Sequence, residues 1–289
     1  MNQKEKTPYV VTSKSYTAVA INAASKAGEW IKSRLGTVKQ LNTKSAVSDL
    51  VTEVDKGAEA MIRKLIFTHF PDHAILGEEG VAPGPEASAR ALEKYAEEEY
   101  LWIVDPVDGT TNYVHGFPFF SVSIALAHQG EVIVGVIYDP SRDEMFVAEK
   151  GKGAYVHGKR MQVSGEAKLE ESLLATGFPV GRDSTLPVNM AGLMHLAPKV
   201  RNIRSGGSAA LHLAYVAAGR LTGFWEIGLN AWDTAAGALM VTESGGHMTD
   251  TAGNPYSLRT RHIVATNGAV HPELVQALKD AAATGLENA

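Results

Sequence analysis

Apolar residues recur every three or four positions in several stretches of the chain, which is the period of an amphipathic helix. Ala20, Ala23 and Ala27 follow this spacing, so a first helix is predicted over residues 15–34. A segment rich in Pro, Gly, Ala and Ser over residues 81–88 predicts an exposed loop, with a charged helix after it. The apolar spacing predicts further helices over residues 55–70, 208–218, 233–243 and 272–283.

Short, continuous apolar runs bounded by turn residues indicate buried strands. The runs 121–128 and 132–138 flank a Gln-Gly-Glu segment, which is typical of a hairpin. The predicted strands cover residues 74–76, 101–104, 121–128, 132–138, 145–148, 153–156, 173–176, 200–204, 222–227 and 263–267. The first half of the chain thus combines helices with an antiparallel meander, whereas the second half alternates strands and helices.

This change of pattern predicts an α/β (α+β) fold with two subdomains, residues 1–160 and 161–289. The first subdomain would hold the antiparallel sheet, and the second would hold the alternating strands and helices. One continuous sandwich is the alternative, and the sequence pattern alone does not separate the two arrangements.

Charge and composition narrow the class of partner. The chain has 27 basic and 32 acidic residues, a net charge of −5, so it has no broad attraction for nucleic acid or anionic membranes. No run reaches the about 20 apolar residues of a membrane span, and the N-terminal segment is polar. We therefore expect no nucleic-acid partner, no membrane association and a cytoplasmic location. The absence of cysteine excludes disulfides, thiolate metal sites and thiol catalysis.

The densest chemical signal is the segment 105–112, which reads DPVDGTTN and follows a predicted buried strand. Asp105 and Asp108 can point into one cavity across the proline turn, and the carbonyl between them can join them. Gly109 lets the backbone approach a ligand, and the Gly109 and Thr110 amides can donate to an anion. An isolated Asp-Gly would be an ordinary turn, but this combination at a strand end favours a ligand site.

Four further acidic residues follow a buried strand or begin a helix. Glu78-Glu79 could be a solvated pair, and Asp55 and Asp233 could serve only as helix caps. If these carboxylates converge, a cation would relieve their mutual repulsion, and all-oxygen ligands favour Mg²⁺, then Mn²⁺ or Ca²⁺. The sequence contains no Walker P-loop, no GxGxxG, no GxSxG and no HExxH motif, which weakens nucleotide-binding, α/β-hydrolase and zinc-protease interpretations.

Taken together, these segments resemble the inositol monophosphatase family. The Glu-Glu pair, DPVDGTTN and the later WDTAAG at 232–237 occur in the family's order, and DLVTEVD at 49–55 and GSAA at 207–210 also match. The resemblance implies a layered αβαβα sandwich of the inositol monophosphatase and fructose-1,6-bisphosphatase type. It also implies an Mg²⁺-dependent, lithium-sensitive phosphatase that forms a homodimer.

The resemblance also implies a metal-binding role for five positions. Glu78, Asp105 and the Val107 carbonyl would hold a first Mg²⁺, and Asp105, Asp108 and Asp233 a second. A third, looser ion would share Glu78 with water, Mn²⁺ could replace Mg²⁺, and Li⁺ would inhibit.

Other positions are implied in catalysis and substrate binding. Glu78, Thr110 and Asp55 would be catalytic, with Thr110 and Asp55 orienting and deprotonating the attacking water. The phosphate would bind the Gly109 and Thr110 amides. The expected substrate contacts are Glu226, Ala209, Asp108 and Asp233, and Lys44 matches a lysine near the active-site loop.

The expected reaction is hydrolysis of inositol 1-phosphate (myo-inositol monophosphate) to inositol and phosphate by metal-activated water. Fructose 1,6-bisphosphate and 3′-phosphoadenosine 5′-phosphate are the alternative substrates within the superfamily. Haloacid-dehalogenase-like phosphatases use Asp-x-Asp-Gly-Thr with a nucleophilic aspartate, but here one more residue separates Asp105 from Asp108. A non-catalytic, metal-dependent regulatory protein is the alternative outside enzymes.

Overall fold

The computed structural model of the protein describes residues 15–35, 41–43, 50–178 and 182–285. Lys44 and the first residue of the DLVTEVD segment lie outside these ranges. In the described ranges the α-helices are α1 (Tyr16–Ser33), α2 (Glu53–His69), α3 (Pro85–Lys94), α4 (Thr110–His115), α5 (Arg182–Leu196), α6 (Ala209–Ala217), α7 (Ala231–Glu243) and α8 (His271–Asp280). Short 3-10 helices cover Glu78–Gly80 and Leu169–Glu171.

Within the described residues, the strands form two large sheets and one two-stranded sheet. They are β1 (Leu41–Thr43), β2 (Leu50–Thr52), β3 (Ala74–Gly77), β4 (Tyr100–Asp108), β5 (Ser121–His128), β6 (Glu131–Asp139), β7 (Glu144–Glu149), β8 (Gly153–Val156), β9 (Lys159–Arg160), β10 (Leu173–Thr176), β11 (Asn202–Arg204), β12 (Gly223–Ile227), β13 (His247–Asp250) and β14 (His262–Thr266). The larger sheet runs β3 to β9 in chain order, and the smaller has the order β11-β10-β12-β14-β13. Only the β3–β4 pair is parallel in the larger sheet, whereas β11, β10 and β12 are parallel in the smaller.

Alternating side chains of the strands explain how these elements stack. Trp102 and Val104 of β4 pack in a core with α1 and α2, whereas Leu101 and Ile103 join a core with α6 and α7. Successive residues of a strand face opposite sides, so helices cover both faces of the larger sheet. The core with α6 and α7 also receives Phe224 of the smaller sheet.

The outer face of the smaller sheet is covered as well. There, the side chains of Val264 in β14 and Leu174 in β10 pack with Leu196 of α5 and Leu278 of α8. The layers are therefore helix pair, seven-stranded sheet, helix pair, five-stranded sheet and helix pair. This confirms the expected αβαβα sandwich.

The structure differs from the predicted elements at several points. Helix α3 begins at Pro85 inside the predicted loop and ends at Lys94, because proline fits the first turn of a helix. Strand β4 continues through Pro106 to Asp108. Helix α5 and strand β13 were not predicted, since Pro187 interrupts the apolar pattern of α5 and three of the four residues of β13, which reads HMTD, are polar.

The proposed subdomain boundary at residue 160 falls after the last strand of the larger sheet. Since α6 and α7 contribute to one core with both sheets, the two halves share buried surface, and the division stays a prediction. Among the described helices, none combines the length and apolar character needed to cross a membrane.

Candidate active site

An irregularity in β4 brings the two aspartates of the DPVDGTTN segment together. Asp105 pairs with Ser123 of β5, and Asp108 pairs with Ser121, so three steps along β4 oppose two steps along β5. In a regular strand, residues three apart face opposite sides of the sheet. The extra residue is a β-bulge, and it lets both carboxylates reach the same side.

The third carboxylate comes from the second half of the chain. Asp233 lies in the first turn of α7, where the backbone N–H of Asn230 donates to its Oδ2 at 2.6 Å. One carboxylate oxygen from each of Asp105, Asp108 and Asp233 lies within 4.8 Å of the other two. We call these three residues the acidic cluster.

Burial and mutual repulsion raise the pKa values in the acidic cluster. The pKa of Asp105 is raised well above 3.8, first by burial and then by the charges of Glu78, Asp108 and Asp233. Burial and the Asp108 charge raise the pKa of Asp233 to about 7. At 4.8 Å, the upper limit of these separations, and an effective dielectric constant of about 20, a charged pair costs roughly 3.5 kcal/mol, and a closer pair costs more.

The N-terminus of α6 holds Asp108 in place. Ser208 Oγ donates to Asp108 Oδ2, and the N–H groups of Ala209 and Ala210 donate to its two oxygens at 3.3 and 2.9 Å. Burial raises the pKa of Asp108 to about 6, and these hydrogen bonds oppose the rise. Sequence reasoning assigned no role to Ser208, because a serine before an apolar helix indicates only a cap.

The chain turns sharply at Gly109, directly after Asp108. Gly109 adopts φ +95°, and a Cβ there would lie 3.1 Å from the carbonyl oxygens of Gly207 and Phe119. Both the positive φ and the lack of space for a Cβ disfavour any residue other than glycine at this position. Thr110 opens α4, and its hydroxyl donates to the Val107 carbonyl at 3.1 Å. The same carbonyl is the one expected to bind metal.

Glu226 lies at the end of β12 and is 6% exposed. Burial is the main reason that its pKa is raised well above 4.5, and the charges of Asp233 and Asp108 add to the rise. A Cβ at Gly177 would overlap the Glu226 carboxylate, so the glycine provides the space that this side chain occupies. The second half of the chain therefore brings two carboxylates, Asp233 and Glu226, toward Asp108.

The structure ties one of the two remaining predicted acidic residues, Glu78, to the acidic cluster, and it places the other, Asp55, beside Tyr113. Glu78 opens the 3-10 helix after β3, and its carboxylate both repels and hydrogen-bonds Asp105. Asp55 lies in the first turn of α2 and is 2% exposed. It is outside the acidic cluster, and its charge helps to raise the pKa of Tyr113 in α4.

The donor set fits a hard divalent cation. Buried carboxylates that crowd one another are costly unless they are paired or coordinate a metal. Here the raised pKa values of Asp105 and Asp233 arise partly from neighbouring carboxylates. Carboxylate and carbonyl oxygens are the ligands that Mg²⁺, Mn²⁺ and Ca²⁺ prefer. The acidic cluster can therefore bind metal.

Known proteins are similar to this chain over most of its length. A 42% identical relative, the inositol-1-monophosphatase of Synechocystis, aligns over 91% of this chain and 88% of its own. Nus factor SuhB of Pseudomonas aeruginosa is 44% identical over 86% of this chain and 90% of its own. The solved structure of a Thermotoga maritima IMPase superposes with a TM-score of 0.81 at 36% identity, covering 92% of this chain and 97% of that one.

The family model described as "Inositol monophosphatase family" matches residues 13–283. The match includes both sheets, the bulged strand that carries Asp105 and Asp108, and the helix that carries Asp233. The resemblance drawn from the sequence motifs is thereby confirmed, and this protein belongs to the inositol monophosphatase family of phosphatases.

Proposed function

We propose that the protein hydrolyses inositol 1-phosphate to inositol and phosphate with Mg²⁺ as cofactor. The observation that carries this proposal is the convergence of Asp105, Asp108 and Asp233 beside the buried Glu226. The cluster offers metal ligands, and Glu226 offers an acceptor for substrate hydroxyls. The name of the Synechocystis relative supports the same substrate.

The proposed ligands divide into two sets. One Mg²⁺ would be held by Glu78, Asp105 and the Val107 carbonyl. A second would be held by Asp105, Asp108 and Asp233, and a third ion would share Glu78. Bound divalent cations supply charge neutralisation of the phosphate ester and activation of water. Li⁺ would inhibit by competing for these ligands, and Mn²⁺ could replace Mg²⁺.

The chain itself would position the phosphate and the water. The backbone N–H groups of Gly109 and Thr110 would donate to phosphate oxygens, in the loop that the positive φ of Gly109 shapes. The Thr110 hydroxyl already donates to the Val107 carbonyl, so its lone pairs are left to accept a hydrogen bond from the attacking water. Asp55 would accept the proton of that water, acting as general base.

Substrate selectivity would come from Glu226, with Ala209 as a second contact to the ring. A buried carboxylate without donors is costly, and the hydroxyl groups of a polyol ring supply donors. A substrate that lacks these hydroxyls would leave Glu226 unsatisfied and would be discriminated against. Asp108 and Asp233 would contact the same ring from the metal side.

The test is phosphate release from four substrates by the pure protein, with MgCl₂, with EDTA, and with LiCl added to the Mg²⁺ reaction. The substrates are inositol 1-phosphate, fructose 1,6-bisphosphate, 3′-phosphoadenosine 5′-phosphate and glycerol phosphate. We expect the highest kcat/KM for inositol 1-phosphate, loss of turnover in EDTA and inhibition by Li⁺. A higher kcat/KM for either bisphosphate would transfer the assignment to that alternative.

The alternative of a regulatory protein has one supporting observation, the name Nus factor SuhB of the Pseudomonas aeruginosa relative. The same assay separates it from the enzyme proposal. If Mg²⁺-saturated protein releases no phosphate from any of the four substrates, the regulatory alternative replaces the enzymatic one.

We also propose that the protein is a homodimer in the cytoplasm. Phe178, Met190 and Met194 are large apolar side chains with 41%, 38% and 70% exposure, and the latter two lie on α5. Such side chains could be covered by a second copy of the chain. Sedimentation tests the oligomeric state, with a single monomeric species contradicting it, and cell fractionation tests the location.

A further inference from the structure

A buried carboxylate outside the acidic cluster, that of Glu59, contacts the turn that carries Glu78. Glu59 of α2 is 5% exposed, and no sequence motif pointed to it. Glutamate is rarely this buried unless it is paired. Its partners therefore indicate what it does.

The Glu59 carboxylate joins α2 to the Glu78 turn. Its Oε2 accepts a hydrogen bond from the backbone N–H of Glu79 at 2.9 Å. Its Oε1 accepts one from Arg63 Nε at 2.7 Å, and Arg63 Nη1 donates to the Ile75 carbonyl in β3 at 3.3 Å. The ion pair thus contacts both the strand that leads into the turn and the turn itself.

Glu59 also packs against the residue that precedes Glu78. A Cβ added to Gly77 would overlap the Glu59 carboxylate, so a glycine at 77 is what allows this close approach. Glu78 is therefore held from both sides, since Gly77 packs on the Glu59 carboxylate and the Glu79 N–H donates to it. A shift of Glu59 would move the backbone of Glu78.

The same helix carries a second group of the site. Asp55 and Glu59 are four residues apart in α2, so they lie on one face of the helix. Both are buried, at 2% and 5% exposure. Helix α2 therefore fixes Asp55 and the Glu78 turn relative to each other.

We propose that Glu59 is a positioning residue that sets the metal affinity of the site by fixing the backbone of Glu78. The proposal rests on the proposed function, because it takes Glu78 to be a metal ligand. Groups that orient metal ligands typically change metal affinity by about 10–100-fold when they are removed. Glu59 acts through the Glu79 amide and is not itself one of the proposed metal ligands.

The experiment titrates metal-free protein with MgCl₂ and follows the rise of Tm, which yields an apparent Kd without turnover. Glu59→Ala removes both contacts, and we expect its Kd to rise about tenfold or more. Glu59→Gln has a single acceptor oxygen for two donors, so it should give a smaller rise. In both variants, kcat for inositol 1-phosphate at saturating Mg²⁺ should fall much less than the Mg²⁺ affinity.

Glu243 offers a matched control at another turn. Its carboxylate accepts hydrogen bonds from the N–H groups of Gly151 and Gly153 at 2.7 and 2.8 Å. Glu243→Ala should lower the Tm of the metal-free protein and leave the Mg²⁺ Kd unchanged. This separates loss of metal affinity from loss of stability alone.

The possible results are distinct. If Glu59→Ala does not fold, Glu59→Gln decides, and its Kd must exceed that of the wild type. An unchanged Kd in the folded Glu59 variants overturns the positioning role while the proposed function stands. If wild-type Tm does not respond to MgCl₂ and no phosphate is released, the proposed function itself fails, and this proposal fails with it.

Discussion

Replacing Asp233 with asparagine should stabilise the metal-free protein while removing its activity. Asparagine keeps the size of the side chain, and its carbonyl oxygen can still accept the hydrogen bond that the Asn230 N–H donates at 2.6 Å. The substitution therefore leaves the start of α7 capped. It removes one negative charge from carboxylates that lie within 4.8 Å of one another.

The magnitude follows from the pKa of Asp233, which burial and the Asp108 charge raise from 3.8 to about 7. The folded state then holds the proton more tightly than the unfolded state, so stability falls as pH rises from about 4 to about 7. One pH unit in this range is worth about 1.4 kcal/mol. At about pH 8 the ionised side chain costs the folded protein roughly 4 kcal/mol relative to acid, a cost that asparagine does not have.

The assay is urea unfolding in EDTA at two pH values. We expect Asp233→Asn to exceed the wild type in free energy of unfolding by roughly 4 kcal/mol at about pH 8, and by less than about 2 kcal/mol at about pH 5. Saturating MgCl₂ should reduce or reverse the difference at the higher pH, because only the wild type has the full ligand set. Phosphate release by the variant should be severely reduced.

A buried aspartate in an ordinary turn is the control. Asp250 Oδ1 accepts hydrogen bonds from the N–H groups of Ala252 and Asn254, and its Oδ2 accepts one from Asn254 Nδ2 at 2.7 Å. Asparagine keeps the first acceptor but places an N–H donor against Asn254 Nδ2, so Asp250→Asn should lower stability at both pH values. The reasoning is refuted if Asp233→Asn is less stable than the wild type in EDTA at the higher pH. Asp233 would then be mainly a helix cap, whose loss costs about 1 kcal/mol.

Three further substitutions test other parts of the site. Gly109→Ala places a residue with a Cβ at φ +95°. It should lower the free energy of unfolding, measured in urea, by about 1–3 kcal/mol, and it should reduce kcat/KM. Gly177→Ala displaces the Glu226 carboxylate and should raise KM for inositol 1-phosphate more than for p-nitrophenyl phosphate, which has no ring hydroxyls. Ser208→Ala removes a donor that lowers the pKa of Asp108, so the acid limb of the pH–rate profile should move to higher pH, whereas Ser208→Thr keeps the hydroxyl.

Each of these has a contradicting result. Equal KM changes for both substrates in Gly177→Ala would show that Glu226 does not recognise the substrate. An unchanged kcat/KM in Gly109→Ala would contradict phosphate binding by the loop that contains Gly109. An acid limb that does not move in Ser208→Ala would show that the other donors fix the Asp108 carboxylate without Ser208.

Strong periodicity made much of the fold predictable. Helix α1 and the hairpin of β5 and β6 lie within a residue or two of their predicted bounds, because each buries a regular apolar face. The unpredicted helix α5 has no comparable apolar stripe and contains Pro187. Its helical state comes from tertiary packing, since Leu196 joins the core with α8.

The candidate site was predictable in composition but not in geometry. The motifs identified Asp105, Asp108 and Asp233, yet only the β-bulge and the packing of α7 bring their oxygens within 4.8 Å. Glu59 gave no signal, because an acidic residue in a helix is most often solvated. Its position depends on the contact between α2 and a turn that follows β3, which sequence spacing does not encode.

The core shared by α6, α7 and both sheets has a consequence for dissecting the molecule. A fragment ending at residue 160 would expose the face of the larger sheet that α6 and α7 cover, and it would keep Asp105 and Asp108 without Asp233. If this fragment is mixed with the complementary fragment, residues 161–289, the two would bury this apolar surface again only by associating with each other. The acidic cluster would be restored in the same step, so recovery of metal binding would report complementation between the halves.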